Sequence, residues 1–257
     1  CHWDVVVEVT RERVRIGVHL LWDPVRAVRV EAVSAFADVP DAELATEARA
    51  AFDRSLDDFY LAQRSNAERP ESHVNLGIVN VKRGRLEEAR RNYDTALRLG
   101  PWFVPAHVNL ADLLRQQGRD EEGEKVLREA LRVDPSNAGV HHALGLLLVR
   151  AKRGSEALAE LRRAAQLAPD APDFAYTYAI GLHSAGRAEE ALAVLRAAQE
   201  RSPGSRGLLV ALVTILRERG SMREAKEWAR KLAEAAPGDP SARALAASLE
   251  PPAVALR

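Results

Sequence analysis

Residues 70–101 read PESHVNLGIVNVKRGRLEEARRNYDTALRLGP, which is two helical patterns joined by a glycine and closed by a proline. The same arrangement returns along the chain at a constant spacing. Prolines mark it at intervals of 34 residues: Pro101, Pro135, Pro169, Pro203 and Pro237. Because proline lacks a backbone donor and cannot continue a helix, each one ends a unit. A fixed period of this length indicates stacked repeats of helix pairs.

Two further positions recur in register and explain how each unit folds. Glycine follows the first helix, where a left-handed cap conformation costs glycine least. These cap glycines are Gly84, Gly118, Gly186 and Gly220. The third unit has Lys152 at this place, and its glycine is displaced to Gly154. Small residues such as Gly77 and Ala89 let the two helices of a unit approach closely, and neighbouring units must stack to bury their apolar faces.

The pattern over residues 70–239 resembles the tetratricopeptide repeat. Its landmarks are Leu76-Gly77, Gly84, Ala89, Tyr93, Ala96 and Pro101, and they recur in the later units. The resemblance implies an all-α fold, a right-handed superhelical solenoid of five α-α repeats. Gly123 replaces the family's usual alanine, Tyr178 stands where leucine is usual, and the family's early tryptophan is absent. We expect these departures to change packing without changing the fold.

The segments that flank the repeats are predicted to cap them. Residues 41–69 form a long capping helix or degenerate repeat, with one helix over 41–67 that Asp41 begins as its N-cap. Residues 240–257 form a C-terminal capping helix and a tail. In that helix, Leu245 and Leu249 are expected to cover the last repeat.

Residues 1–40 are predicted to be HEAT-like or irregular. Asp23-Pro24, followed by Val28-Arg29 and Ala32, resembles one HEAT repeat whose first helix covers residues 11–21. The alternative for residues 3–9 is a strand. A HEAT-like piece that leads into tetratricopeptide repeats resembles the C-terminal region of bacterial multihaem c-type cytochrome proteins, although this chain has no complete CxxCH motif. The resemblance favours a bacterial protein, periplasmic or extracellular rather than cytoplasmic.

The first two residues, Cys1 and His2, allow three interpretations. They are the end of a CxxCH motif that attaches haem c, or Cys1 is the lipid-bearing terminus of a mature lipoprotein. The third interpretation, which we favour, is a fragment boundary with a free thiol, and it predicts no cofactor. The absence of an initiator methionine is consistent with a processed chain or a fragment.

Composition disfavours several classes of function. The 37 Lys and Arg residues balance the 37 Asp and Glu residues, so the chain lacks the basic excess typical of nucleic-acid binding. Cys1 has no second cysteine with which to form a disulfide within the chain. No stretch of 18 apolar residues predicts a transmembrane segment.

The first helices of the repeats are expected to line a concave binding face. Asn75 and Asn109 occupy positions where asparagines of some family members hydrogen-bond the backbone of an extended peptide. Of the positions that match the family's basic clamp for a partner's C-terminal carboxylate, only Asn109 fits. The predicted binding residues are Asn75, Asn109, Val74, Ile78, Val108, Asp112, Arg115, His142, Leu146, Tyr176, Ile180 and His183.

Histidines also recur at the repeat spacing, at positions His73, His107 and His141. Equivalent residues of stacked helices lie about 10 Å apart, and one ion with bonds near 2 Å cannot bridge them. These positions match the family's buried aromatic site, so we predict packing and no metal site. The sequence also lacks a glycine-rich phosphate loop and a nucleophilic serine elbow, which predicts that the chain is not an enzyme.

Three functions are compatible with these observations. The first is a protein–protein interaction scaffold that binds a partner segment, or a neighbouring subunit, along the concave face. The second is a structural subunit that assembles with copies of itself into oligomers or filaments. The third is an accessory module of an extracytoplasmic multihaem electron-transfer protein.

Overall fold

The computed structural model describes residues 12–249, and this part of the chain contains helices and no strand. Residues 12–17 form α1, a 3-10 helix follows at Val18–Trp22, and α2 spans Arg26–Phe36. After a second 3-10 helix at Asp41–Glu43, α3 spans Thr46–Arg64. The Cys1-His2 site and the alternative strand at residues 3–9 lie outside the described residues.

Helix pairs with the predicted 34-residue period follow α3. The first helices of the pairs are α4 (Pro70–Lys82), α6 (Val104–Gln116), α8 (Ala138–Arg150), α10 (Pro172–Ser184) and α12 (Arg206–Glu218). The second helices are α5 (Leu86–Leu99), α7 (Asp120–Val133), α9 (Gly154–Leu167), α11 (Ala188–Arg201) and α13 (Met222–Ala235). Each second helix ends two residues before one of the evenly spaced prolines. The predicted all-α repeat fold is confirmed.

The chain divides into two compact units, Cys1–Asp134 and Pro135–Arg257. In the first unit, one core cluster surrounds Phe36, Phe52 and Phe59 of α2 and α3. A second cluster in that unit packs Tyr93 of α5 against Leu113 and other residues of α6. Each of these clusters buries aromatic or leucine side chains almost completely.

The second unit has its own core. Leu182, Leu195 and Leu212 from α10, α11 and α12 are buried together. A final helix, α14 (Pro240–Ser248), places Ala242 against Leu209 and Leu232. None of the helices in residues 12–249 is long and apolar enough to span a bilayer.

The turns inside the repeats confirm the cap glycines and correct one prediction. The glycines have positive φ angles: 71° at Gly84, 71° at Gly118, 76° at Gly186 and 77° at Gly220. In the third unit Lys152 itself takes this conformation, with a φ of 58°. Gly154 is instead the first residue of α9 and plays no part as a cap. The third unit therefore has the same backbone turn as the other units, although lysine disfavours a positive φ.

Close packing inside the pairs explains the small residues. A Cβ atom added at Gly77 would lie 2.2 Å from the ring of Tyr93, and one at Gly145 would lie 2.7 Å from the side chain of Leu161. Real Cβ contacts are not this short, so a side chain at either position would force its neighbour to shift; Ala111 and Ala179 hold this position in other pairs. The helices of these pairs approach as closely as the sequence pattern predicts.

The single helix predicted over residues 41–67 is wrong at its start. The chain breaks at Leu44, whose extended backbone turns the side chain into the core, where it is 7% exposed. α3 begins after Ala45, which offers no side-chain cap. Asp41 instead forms ion pairs with Arg83, at 3.2 Å, and with Arg49, at 3.0 Å. Its carboxylate therefore ties the front of the chain to the turn after α4.

Candidate functional site

The predicted binding residues are divided between the two units. The first unit holds Val74, Asn75, Ile78, Val108, Asn109, Asp112 and Arg115, and the second holds His142, Leu146, Tyr176, Ile180 and His183. Val74 differs from the prediction, because it is 5% exposed and packs in the cluster of Tyr93. It therefore has almost no surface to offer a partner. Ile78 and Val108 are partly buried.

The two predicted asparagines both use their amide groups within the chain. Asn109 Nδ2 donates to the carbonyl oxygen of Pro105, one helical turn earlier, at 2.8 Å. Asn75 Nδ2 donates to Gln63 Oε1 of α3 at 3.3 Å. Each bond uses one of the two protons on the amide nitrogen, so a peptide carbonyl could still accept the second.

The charged pair predicted in the first unit is a local one. Arg115 Nε donates to Asp112 Oδ1 at 2.7 Å on the same face of α6, and both side chains are exposed. Exposed pairs at this spacing contribute little stability. Both groups remain accessible to a partner.

In the second unit, His142 lies at a contact between α8 and α10. Thr177 donates its hydroxyl proton to the carbonyl oxygen of Asp173 at 2.8 Å, so its oxygen accepts from His142 Nε2, at 3.1 Å. The His142 ring also packs against Phe174, with ring centroids 4.9 Å apart. Burial lowers the pKa of His142, which favours the neutral ring that this hydrogen bond fixes in orientation.

His183 makes a second contact between helices, which the sequence did not predict. Its Nε2 lies 2.8 Å from Glu218 Oε2 and joins the end of α10 to the end of α12. His183 therefore acts first as a structural contact. Its Nδ1 is buried and has no hydrogen-bond partner among the described residues.

Apolar side chains remain exposed on α8 and α10. Leu146 is 38% exposed, Val149 is 51% exposed and Tyr176 is 39% exposed. Ile180 follows Tyr176 by four residues and is partly buried. Because residues three and four apart share one face of a helix, Leu146 and Val149 lie on one face of α8, and Tyr176 and Ile180 lie on one face of α10. Together, these four side chains are called the apolar strip below.

A cleft of about 500 Å³ opens beside this strip, between α8, α9 and α10. Leu146, Val149 and Ile180 line it from the strip. The other lining residues are Lys152, Gly154, Ser155, Ala157, Leu158, Leu161, Thr177, Gly181, Ser184 and Ala185. The volume lies within the range of ordinary ligand sites. The sequence prediction included Leu146 and Ile180 and missed the cleft.

The recurring histidines lie in structural contacts. His107 is 4% exposed. His73 Nε2 lies 2.9 Å from the carbonyl oxygen of Ala67, and His141 Nε2 lies 3.1 Å from that of Pro135. His141 Nδ1 also contacts Glu160 at 2.6 Å. Within residues 12–249, no group of three or more His, Cys, Asp or Glu side chains could hold a metal ion.

Comparison with protein families identifies the fold. One tetratricopeptide repeat model matches residues 80–147 and 182–249, slightly more than half of the chain. The chain belongs to the tetratricopeptide repeat family. A second tetratricopeptide repeat model matches residues 41–101 and 142–206. The search of the curated proteins found no significant match.

Solved structures show the same tetratricopeptide repeat fold. YrrB, described as a tetratricopeptide repeat protein with an unusual peptide-binding site, is 23% identical with a TM-score of 0.53, over 71% of this chain and 94% of YrrB. Pseudomonas aeruginosa PilF is 20% identical with a TM-score of 0.58, over 72% and 90%. Yeast Tom70 is 18% identical with a TM-score of 0.67, over 88% of this chain and 47% of Tom70. At these identities the likeness concerns the fold alone.

Proposed function

We propose that this tetratricopeptide repeat protein is a non-enzymatic scaffold that binds a segment of a partner protein on α8 and α10. The observation that carries the proposal is the apolar strip, with Leu146, Val149 and Tyr176 exposed on neighbouring helices. Exposed apolar groups that form one patch are typical of interaction sites. Leu147 of α8 and Leu182 of α10 are each buried, so both helices are held in place before a partner arrives.

Further support comes from the surroundings of the strip. The contact between His142 and Thr177 links α8 to α10, so the two helices present their exposed side chains together. YrrB has the same fold and a described peptide-binding site, which makes a peptide a reasonable occupant. The proposal does not depend on Asn75 or Asn109, whose amide nitrogens bond within the chain.

The test substitutes two side chains of the apolar strip and compares the loss of binding with that caused by substituting two equally exposed side chains elsewhere. Peptides are first selected on the wild-type protein from a displayed random library, and the affinity of one selected peptide is then measured by fluorescence anisotropy. The double variant Leu146→Ser, Tyr176→Ser is expected to weaken binding more than about tenfold, because two apolar contacts are lost. The matched control is Leu99→Ser, Val133→Ser, whose wild-type side chains are 39% and 40% exposed in the first unit.

The control variant is expected to bind like the wild type. An equal loss of peptide affinity in both double variants would show that the effect comes from a general disturbance of the fold and would contradict the proposed site. Unchanged affinity in the Leu146→Ser, Tyr176→Ser variant, or selection of no peptide at all, would contradict the proposal.

A further inference from the structure

Gly181 departs from the pattern of the other repeats. The residues at the same position in the other units are large and apolar: Val79, Leu113, Leu147 and Ile215. Each of them is 2% exposed or less, so this position normally fills the space between helices. Gly181 has no side chain to fill it and remains partly accessible.

The missing side chain lies where the cleft is. Gly181 lines the cleft, and a Cβ atom added there would lie 3.0 Å from Leu158 and 3.5 Å from Leu161, both of which line it as well. Leu158 packs close to Gly181, and the cleft adjoins the position that a leucine or isoleucine fills in the neighbouring repeats.

Two other departures from the repeat pattern meet at the same cleft. Lys152 replaces the cap glycine. Gly154 stands at a position where the other units have a residue with a side chain, such as Ala188 or Met222. Among the described residues, Lys152 is the one charged side chain in the lining, and no carboxylate pairs with it. Gly154 and Ser155 begin α9, whose N-terminus has no side-chain cap, and both residues line the cleft.

We propose that the cleft binds one bulky aliphatic or aromatic side chain of the partner segment, with an adjacent carboxylate of that segment at Lys152. This inference rests on the proposed function and names the chemistry of the segment. Charge complementarity selects an acidic group, because Lys152 and the positive end of α9 border a cleft whose other lining residues are uncharged.

A protein segment fits this site better than a small molecule does. Small-molecule sites enclose most of their ligand. Here Leu146 and Val149 line the cleft and also continue out of it as the exposed apolar strip. An occupant that covers both must extend beyond the cleft, as a peptide anchored by one side chain does.

The first experiment refills the cleft. The peptides selected on the wild-type protein are expected to share a Leu, Ile, Met or Phe beside an Asp or Glu. Gly181→Leu restores the residue type of the other repeats and is expected to weaken peptide binding more than about tenfold, since it occupies the space of the anchor. The matched control is Gly139→Leu, at an exposed helical glycine of α8 outside the cleft, and it is expected to bind normally.

The second experiment removes the charge without risk to the fold. Lys152→Gly gives the turn its usual residue and is expected to weaken peptide binding about two- to fivefold, with the loss shrinking at high salt. The same variant is expected to be more stable than the wild type, so its weaker binding cannot come from unfolding.

The outcomes separate the inference from the proposed function. Peptides that bind the wild type and depend on Leu146 and Tyr176, yet bind Gly181→Leu and Lys152→Gly with unchanged affinity, would overturn the inference and leave the proposed function standing. Selected peptides without an acidic residue would also overturn it. Failure to select any peptide would overturn both.

Discussion

Lys152 has a left-handed backbone that the other repeats give to glycine. A residue with a Cβ atom pays about 1–2 kcal/mol for this conformation. We therefore expect Lys152→Gly to raise the free energy of unfolding by about 1 kcal/mol, measured by urea denaturation. Gly118→Ala, which imposes the same strain at a φ of 71°, is expected to lower it by a similar amount. Destabilisation by Lys152→Gly would contradict this account of the turn.

Gly77 is expected to be intolerant of even one added methyl group. Its Cβ atom would lie 2.2 Å from the Tyr93 ring, which is itself 1% exposed and cannot move freely. Gly77→Ala is expected to destabilise the protein by about 1–3 kcal/mol in thermal or urea unfolding. At the exposed helical Gly139 the same change is expected to stabilise by up to about 1 kcal/mol. A neutral Gly77→Ala variant would show that α4 and α5 are less closely packed than described.

His107 gives the stability a dependence on pH. Burial lowers its pKa below the ordinary value of 6.5, so below that pH the unfolded chain binds protons more readily than the folded one. The free energy of unfolding is therefore expected to have its full value above about pH 6.5. It is expected to fall as the pH drops through and below this value. His107→Phe is expected to reduce this fall, measured by urea denaturation at several pH values. An unchanged pH dependence would exclude His107 as a cause.

At the residue scale, the sequence predicts the role of a residue where the backbone conformation or the packing strongly favours one residue type. The glycine caps follow from their need for a positive φ, and Gly77 follows from close helix approach. The positive φ of Lys152 could not be predicted in this way, because lysine disfavours the left-handed conformation that the turn requires. Gly181 left a signal that comparison of equivalent positions reveals, namely glycine among large apolar residues.

At the element scale, α14 completes the core of the second unit. Ala242 is 1% exposed and packs against Leu209 and Leu232. Ala242→Glu would place a carboxylate in this apolar contact, and we expect it to lower the free energy of unfolding by roughly 2 kcal/mol or more. Ala244→Glu on the exposed face of the same helix is expected to change it little. Equal effects of the two variants in urea denaturation would contradict the docking of α14.

The helix boundaries show what periodicity can and cannot predict. The 34-residue spacing predicts the paired helices because every unit repeats the same turn and proline. Residues 41–45 lie before the first unit of the 34-residue spacing, and the N-cap preference of Asp41 suggested a helix start there. The burial of Leu44 and the ion pairs of Asp41 with Arg49 and Arg83 decide the local structure, and such contacts depend on the folded chain.

At the scale of the whole molecule, the repeats agree where they pack and differ where a partner would bind. Residues such as Ala89 and Leu195 maintain the fold and carry no information about the partner. The candidate site instead joins three departures from the repeat, Lys152, Gly154 and Gly181, and the first of them stands at the cap position that the other units give to glycine. The predicted binding residues of the first unit, including Asn75 and Asn109, stay a prediction.

The most direct test of the proposed site is a map of amide chemical shifts in isotope-labelled protein, recorded as a selected peptide is added. We predict that the largest changes fall in the second unit, at Gly154, Ser155, Gly181 and Ala185 around the cleft, and that Gly181→Leu abolishes them. Changes confined to the first unit, or to helices that do not border the cleft, would contradict the proposed site.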